Sequence, residues 1–173
     1  MYNRPVFQKL IKRAEEKRNF LQVLAGPRQV GKTTLALQVR ESVSLPTHYA
    51  SADYPTLRDM AWIEQQWEIG RIRTKQSNDP GGALLFLDEI QKIPGWADVV
   101  KHLWDQDTAQ NVSLKVFLLG SSSLLMQTGL AESLLGRFEH IPISPWSYQE
   151  CRDAFGWSLE HISFLEGIQV LLN

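Results

Sequence analysis

Short apolar runs alternate along this chain with longer segments in which apolar residues recur at helical spacing. The apolar runs predict strands near 20–25, 47–51, 83–88, 114–119 and 139–143. The amphipathic segments predict helices near 5–18, 32–42, 56–73, 96–107, 123–128, 147–155 and 158–170. The connections are long enough for helical crossovers, and right-handed crossovers place helices on both faces of a sheet. The pattern therefore predicts an α/β fold with five parallel strands between two layers of helices.

The first apolar run leads into a loop with the spacing G-x-x-x-x-G-K-S/T. The loop reads Gly26-Pro27-Arg28-Gln29-Val30-Gly31-Lys32-Thr33. Glycines at this spacing let successive backbone N–H groups point at a phosphate. The lysine adds positive charge at the β- and γ-phosphates, and the hydroxyl after it can ligate magnesium. A plain glycine turn is the alternative, but the strand-like run before the loop and the helical spacing after it favour phosphate binding.

The loop therefore predicts a nucleoside triphosphate bound with Mg²⁺. Lys32 is a candidate catalytic residue, and Thr33 is a candidate magnesium ligand. The candidate nucleotide-binding residues are Gly26, Pro27, Arg28, Gln29, Val30, Gly31, Lys32, Thr33 and Thr34. Arg28 either touches the nucleotide or pairs with an acidic neighbour, and a structural or partner-sensing role is favoured for it.

The third apolar run ends in two adjacent carboxylates, Asp88 and Glu89. Because ligands gather at the carboxyl ends of parallel strands, Asp88 is expected to face the loop and to hold magnesium through water. Glu89 follows directly and is the candidate general base for the attacking water. The alternative for this pair is a solvated acidic turn.

The fourth apolar run closes in Gly120-Ser121-Ser122-Ser123. A hydroxyl at the tip of a strand beside the phosphate loop can orient the attacking water and sense the γ-phosphate. Ser121 and Ser122 are the candidates, and Ser121 is placed in the predicted catalytic set. The alternative is that the serines form a turn and cap a helix beginning near Leu124.

Arg137 lies just before the last apolar run. Its guanidinium is a candidate for stabilising transition-state charge, either in its own site or in that of a neighbouring subunit. The alternative is a surface ion pair with Glu132 or Glu139. Elsewhere, Asp53 is expected to cap the helix after the second strand, the other interpretation being that it faces the nucleotide site.

In these motifs the chain resembles a family of bacterial and archaeal AAA-like P-loop ATPases. The resemblance covers the loop at 26–33, the segment Leu87-Asp88-Glu89-Ile90-Gln91-Lys92-Ile93-Pro94-Gly95-Trp96, the serine-tipped strand and Leu135-Gly136-Arg137. It implies ATP rather than GTP, and a three-layer αβα sheet in which the strand at 114–119 separates the phosphate-loop strand from the strand at 83–88. Members of that family usually continue into a second, C-terminal domain.

A single domain over 1–173 is expected from the length and the 43% hydrophobic content. It is divided into an N-terminal helix at 1–19, a phosphate-loop core at 20–145 and a helical extension at 146–173. The chain stops inside an apolar stretch, 167–173, which suggests truncation before a C-terminal domain. Such a surface usually marks an interface, with that missing domain or with another copy of the chain.

The charge balance disfavours a nucleic-acid footprint over the whole module, because 18 Lys and Arg face 19 Asp and Glu, for a net charge of −1. A local basic patch near the N-terminus is the remaining alternative to a solvated helix face. The start lacks the apolar core of a leader, and no window reaches the roughly 18 continuous apolar residues of a membrane span. A cytoplasmic protein without a membrane span is therefore expected.

The leading functional hypothesis is an ATPase that couples hydrolysis to a conformational change in an attached domain or partner, with ATP and ADP as its small-molecule ligands. A nucleotide-gated binding module with little or no hydrolysis is the alternative. A small-molecule kinase is less favoured, because Glu89 suits water rather than a phosphoryl acceptor.

Overall fold

A five-stranded parallel sheet forms the centre of the computed structural model, which describes residues 2–53, 59–121, 124 and 133–158. Its strands are β1 (Leu21–Ala25), β2 (Thr47–Ser51), β3 (Ala83–Asp88), β4 (Leu114–Gly120) and β5 (Phe138–Pro142). The helices are α1 (Pro5–Glu15), α2 (Lys32–Ser42), α3 (Met60–Gln76), α4 (Trp96–Ala109) and α5 (Tyr148–Phe155), with a 3₁₀ turn at Ile90–Lys92. The predicted α/β fold with five parallel strands is confirmed. The helices predicted near 123–128 and 158–170 fall almost entirely outside the described residues.

The strand order β2-β3-β4-β1-β5 places β4 between the phosphate-loop strand and the strand that carries the carboxylates. Leu118 lies opposite Val23 of β1 on one side and Leu87 of β3 on the other. The order implied by the family resemblance is therefore confirmed. Because every pairing is parallel, the carboxyl ends of β1, β3 and β4 open onto one edge of the sheet.

Both faces of the sheet are covered by helices, which explains why its central strands are continuous apolar runs. All residues of β1, β3 and β4 are buried. One core packs residues such as Leu85 and Leu118 against α3 and α4. The other packs Leu84 and Phe117 against α1 and α2. This packing holds the strands firmly in place. The candidate site described below lies at their carboxyl ends.

A buried carboxylate joins α3 to α4. Asp107 on α4 is completely buried, and its side chain accepts hydrogen bonds from Trp67 Nε1 at 2.8 Å and from Arg71 Nε at 2.7 Å. Both donors lie on α3, one turn apart. Since a buried charge is stable only when it is paired and hydrogen-bonded, this contact fixes how the two helices pack.

The start of α3 differs from the prediction. Asp59, rather than Asp53, is the N-cap, and its side chain accepts a hydrogen bond from the backbone N–H of Trp62 at 3.1 Å. Asp53 instead pairs with Lys92 beyond β3. The capping role predicted for Asp53 is wrong, because the helix begins at Met60, several residues later than expected, and a capping side chain reaches only the first turn.

The basic residues near the N-terminus bond largely within the protein. Helix α1 buries Leu10 and Ala14 against the sheet. Arg13 forms ion pairs with Glu139 and Glu16, and the Arg18 guanidinium lies 3.4 Å from the ring centre of Trp104. Among the described residues, no helix is both long and apolar enough to span a membrane.

We expect replacement of Asp107 by alanine to lower the free energy of unfolding by about 3 kcal/mol, because it leaves one buried and one partly buried donor of α3 without their acceptor. The loss would be measured by urea denaturation. Asp105→Ala on the same helix is the matched control, since that side chain is 45% exposed and its loss should cost less than about 1 kcal/mol. Equal losses in the two variants would show that the buried contact does not fix the helix packing.

Candidate functional site: a phosphate-binding edge of the sheet

The loop after β1 curls tightly at the carboxyl edge of the sheet. At Gly26 a side-chain Cβ would lie 1.9 Å from the carbonyl oxygen of Ile143, so only glycine lets the loop pass the chain after β5. Gly31 has φ +89° and Gln29 has φ +63°, both in the left-handed region. Helix α2 then begins at Lys32, so its N-terminal N–H groups and positive dipole end point into the loop.

The Lys32 side chain folds back over this loop. It is buried, and its Nζ donates hydrogen bonds to the carbonyl oxygens of Gly26 at 3.0 Å and Pro27 at 2.6 Å. Burial lowers the pKa of Lys32, while the carboxylates of Glu89 and Asp88 act in the opposite direction. A phosphate group at the loop offers this ammonium a stronger partner than two carbonyls do.

Asp88 is the electrostatic centre of the site. It is 4% exposed, and its Oδ2 accepts hydrogen bonds from the hydroxyls of Thr33 and Tyr49, each at 2.7 Å. Its Oδ1 accepts from the backbone N–H of Glu89 at 2.9 Å. The carboxylate at the end of β3 thus touches the hydroxyl at the end of the loop, and these oxygen donors suit a magnesium ion.

Tyr49 is a site residue that sequence reasoning missed. It lies on β2, opposite Phe86 and two residues before the end of the strand. Burial, and then its hydrogen bond to Asp88, raise the pKa of Tyr49, so the hydroxyl remains a donor near neutral pH. Alternation along β2 puts Tyr49 on the same face as the carboxylate, but only the pairing of β2 with β3 brings the two together.

Glu89 stands at the same edge in a strained backbone conformation. Its φ of +54° is in the left-handed region, which is uncommon for a residue with a long side chain and tends to occur at functional sites. Its side chain is 20% exposed, and its Oε2 accepts a hydrogen bond from Gln91 Nε2 at 2.7 Å. Gln91 was also missed, because its role depends on the turn that follows β3.

Ser121 directly follows β4 and therefore lies between the loop strand and the carboxylate strand. Its hydroxyl is 3.5 Å from Gln91 Nε2. This is the position that the sensor hypothesis requires, and the sensor role stays a prediction. The second candidate, Ser122, lies outside the described residues.

Arg137 lies at the opposite edge of the sheet. Its carbonyl oxygen accepts a hydrogen bond from the backbone N–H of Leu21, the first residue of β1, whereas the loop follows the last. The length of β1 separates these points by roughly 16 Å. The guanidinium binds Asp105 through Nε at 2.8 Å and Nη2 at 3.0 Å. The structure therefore does not bring Arg137 to the phosphate loop of its own chain.

The ion-pair alternative for Arg137 also has a different partner from those considered. Glu139 pairs with Arg13 and Lys9, and Glu132 lies outside the described residues.

At the loop itself, Pro27, Arg28 and Gln29 form an exposed tip, and Thr34 is exposed on the first turn of α2. The role of Arg28 stays a prediction.

Arg4 links the loop to the C-terminal part of the described structure. It is 5% exposed and donates to the carbonyl oxygen of Val30 at 2.9 Å, to Glu150 on α5 at 2.8 Å and to the carbonyl oxygen of Ser144 at 3.1 Å. Its guanidinium also lies 5.0 Å from the ring centre of Trp146. Nothing in the local sequence distinguishes Arg4 from the other basic residues around it.

The family model for the AAA domain matches residues 18–152, which contain the loop, both carboxylates and the intervening strands. The chain belongs to this AAA domain family. The AAA-like family predicted from the sequence is therefore confirmed, and membership indicates a nucleotide-binding protein.

Similar proteins include three that are described as uncharacterised. One from Haemophilus influenzae is 26% identical over 141 residues, which is 76% of this chain and 33% of that protein. Two from Methanocaldococcus jannaschii are 29% identical over 133 residues and 28% identical over 151 residues, covering 76% and 83% of this chain. Those alignments cover 28% and 30% of the archaeal proteins, so this chain spans about a third or less of the relatives that it matches.

We expect Lys32→Ala to weaken nucleotide binding by about tenfold to a hundredfold, because it removes a charge-assisted contact to the phosphates. Titration of a fluorescent ATP analogue would measure the change. Lys12→Ala, on the exposed face of α1, is the control and should bind like the parent chain. Unchanged affinity in Lys32→Ala would contradict the assignment of the phosphate loop.

Proposed function

We propose that this AAA domain binds ATP with Mg²⁺, hydrolyses it, and uses hydrolysis to change the conformation of an attached domain or partner. The observation that carries the proposal is the 2.7 Å hydrogen bond between the Thr33 hydroxyl and the Asp88 carboxylate. Thr33 lies in the first turn of α2 and Asp88 at the end of β3, and oxygen ligands so placed would hold a magnesium ion between the phosphate loop and the carboxylate strand.

In this proposal the backbone N–H groups of residues 26–34 bind the phosphates, and Lys32 places its charge at the β- and γ-phosphates. Thr33 and Asp88 would hold the magnesium ion, Asp88 through water. Magnesium, when bound, neutralises charge on the β- and γ-phosphate oxygens. Tyr49 keeps Asp88 oriented by donating to the oxygen that also accepts from Thr33.

Glu89 is proposed to accept a proton from the attacking water. The water oxygen forms a bond to the γ-phosphorus while the bond to the departing ADP oxygen breaks. Ser121 would orient that water from the end of β4. What supports these roles is the placement of Glu89 next to Asp88, half-buried, with a carboxylate oxygen already held by a hydrogen bond.

A nucleotide-gated binding module with little turnover is the second candidate, and one observation favours it. Lys32 donates hydrogen bonds to two carbonyl oxygens of its own loop in this structure, rather than pointing away from the loop. A site in that arrangement has to rearrange before it hydrolyses ATP. Steady-state phosphate release, measured with and without an added phosphoryl acceptor, separates the hydrolase, the binding module and the less favoured kinase.

The output of hydrolysis is proposed to pass through the Arg4 contacts. Arg4 bonds both to the loop at Val30 and to Glu150 on α5, so a shift of the loop on phosphate binding displaces a group that holds α5. The longer relatives supply a precedent for further chain beyond such a module. A second domain is therefore the first proposed partner, and another copy of this chain is the second.

We expect Glu89→Gln to lower kcat for ATP hydrolysis by about a hundredfold or more, because the amide keeps the shape of the side chain but cannot accept the proton. ATP affinity should remain within about twofold of the parent value. Glu64→Gln, on the exposed face of α3, is the matched control. Parallel loss of binding and turnover would assign Glu89 a structural role instead.

Arg137 can serve catalysis only in a neighbouring copy, because its own loop lies at the other edge of the sheet. An arginine that acts in this way makes turnover depend on assembly. Specific activity per chain is then expected to rise with protein concentration, and Arg137→Ala is expected to remove that rise while ATP affinity is kept. Mixing Arg137→Ala chains with Glu89→Gln chains should restore part of the activity.

Asp105→Ala distinguishes this role from a structural one, because it releases the guanidinium without removing it. Activity that depends on Arg137 but survives Asp105→Ala would support action in a neighbouring copy. Equal effects of both substitutions would show that the Arg137–Asp105 pair only stabilises the fold. Full activity of Arg137→Ala at every protein concentration would contradict a catalytic role of Arg137 in a neighbouring copy.

A further inference from the structure

The 3₁₀ turn after β3 places an amide side chain between the proposed base and the proposed sensor. Gln91 Nε2 lies 2.7 Å from Glu89 Oε2 and 3.5 Å from Ser121 Oγ. The first contact is a short hydrogen bond to a carboxylate, and the second is at the long end of the hydrogen-bonding range. One side chain thus connects the ends of two neighbouring strands.

The backbone fixes where this amide lies. Ile90 is completely buried, and the turn closes with hydrogen bonds from the N–H of Lys92 to the carbonyl oxygen of Glu89 at 3.0 Å and from the N–H of Ile93 to that of Ile90 at 3.1 Å. Glu89 enters the turn with its left-handed φ. Gln91 is therefore held by an anchored turn rather than by a freely moving loop.

Gly120 makes room for the amide at the end of β4. A Cβ at this position would lie 2.4 Å from Gln91 Oε1, closer than non-bonded atoms approach. Gly120 is also opposite Ala25, the residue that leads into the phosphate loop. Glycine at the tip of the strand thus lets the Gln91 side chain reach across to both Glu89 and Ser121.

A hydrogen bond to one carboxylate oxygen restricts the rotamers of Glu89 and so fixes the direction in which the carboxylate faces. Lys92 Nζ lies 3.9 Å from the same oxygen and is too distant to replace that hydrogen bond. Ordering a glutamate side chain costs up to about 2 kcal/mol in rotamer entropy, and an anchored donor meets that cost before the reaction begins. Misplacement of a reacting group by about 1 Å can lower a rate by about a hundredfold. Orientation of the base is therefore a large enough effect to measure.

We infer that Gln91 is a positioning residue that orients the Glu89 carboxylate toward the attacking water and ties it to Ser121 at the end of β4. The inference rests on the proposed function, because it assigns Gln91 to the same hydrolytic site. Gln91 itself does not exchange a proton with the water or the nucleotide.

The first test is Gln91→Met, which keeps the length of the side chain and removes the N–H donor. It should lower kcat by about tenfold or more and leave KM and ATP affinity within about twofold. Gln66→Met on α3 is the matched control, since this glutamine is also partly buried and bonds another side chain, His48. Loss of affinity with unchanged kcat would overturn the inference.

The second test uses Gly120→Ala, which pushes Gln91 aside while the side chains of Glu89, Gln91 and Ser121 stay chemically intact. It should reproduce the loss of kcat, and Gln91→Met should add little to it. In the Glu89→Gln background Gln91→Met should have no further effect, because residues acting through one group are not additive. Normal kcat in both Gly120→Ala and Gln91→Met, with kcat lost in Glu89→Gln, would refute the positioning role and leave the proposed function standing.

An NMR measurement, which needs no ATP turnover, distinguishes failure of the Gln91 inference from failure of the proposed hydrolysis. The Gln91 side-chain amide proton, observed by NMR, should shift in Glu89→Ala and stay unchanged in the control Glu64→Ala. If that shift is seen but neither the parent chain nor any variant releases phosphate, the proposed hydrolysis fails although the contact exists. If Gln91 shows no shift, the contact itself is absent and the inference fails alone.

Discussion

The parallel pairing of β4 between β1 and β3 is the constraint on which the rest of the structure depends. It brings the end of the strand before the phosphate loop and the end of the carboxylate strand to one edge, with Ser121 between them. Residues 55 positions apart can then form the Thr33–Asp88 hydrogen bond. Because helices cover both faces and the central strands are wholly buried, this edge is a rigid support for side chains.

At this edge, the buried carboxylate of Asp88 accepts hydrogen bonds from two hydroxyls and a backbone N–H. Next to it, Glu89 takes a left-handed backbone conformation. Strain of this kind persists only where surrounding structure holds it, and here Ile90 and the 3₁₀ turn do so. The proposed function therefore gives metal binding and proton acceptance to two adjacent residues with different surroundings.

The carboxyl and amino edges of the sheet each hold an arginine, and the two arginines make different contacts. At the carboxyl edge, Arg4 connects the loop with α5 through hydrogen bonds to the Val30 carbonyl oxygen and the Glu150 carboxylate. At the amino edge, Arg137 pairs with Asp105 and holds the start of β5 to α4. The hydrogen bond from Arg137 stabilises the charged carboxylate and keeps the pKa of Asp105 below its usual value. The pair thus has a structural explanation that is independent of catalysis.

Local chain chemistry determined the phosphate loop, the apolar strands and the paired carboxylates, because each depends on neighbours within a few residues. The parallel sheet confirms the predicted strands, and the match to the AAA domain confirms the family. Tertiary structure alone decided that Tyr49 reaches Asp88 and that Gln91 reaches Ser121, since both contacts need the order of the strands. Tertiary structure also decided that Arg137 lies at the amino edge of the sheet, away from the phosphate loop. A single residue carries no signal for such long-range contacts, because packing brings their partners together from distant parts of the chain.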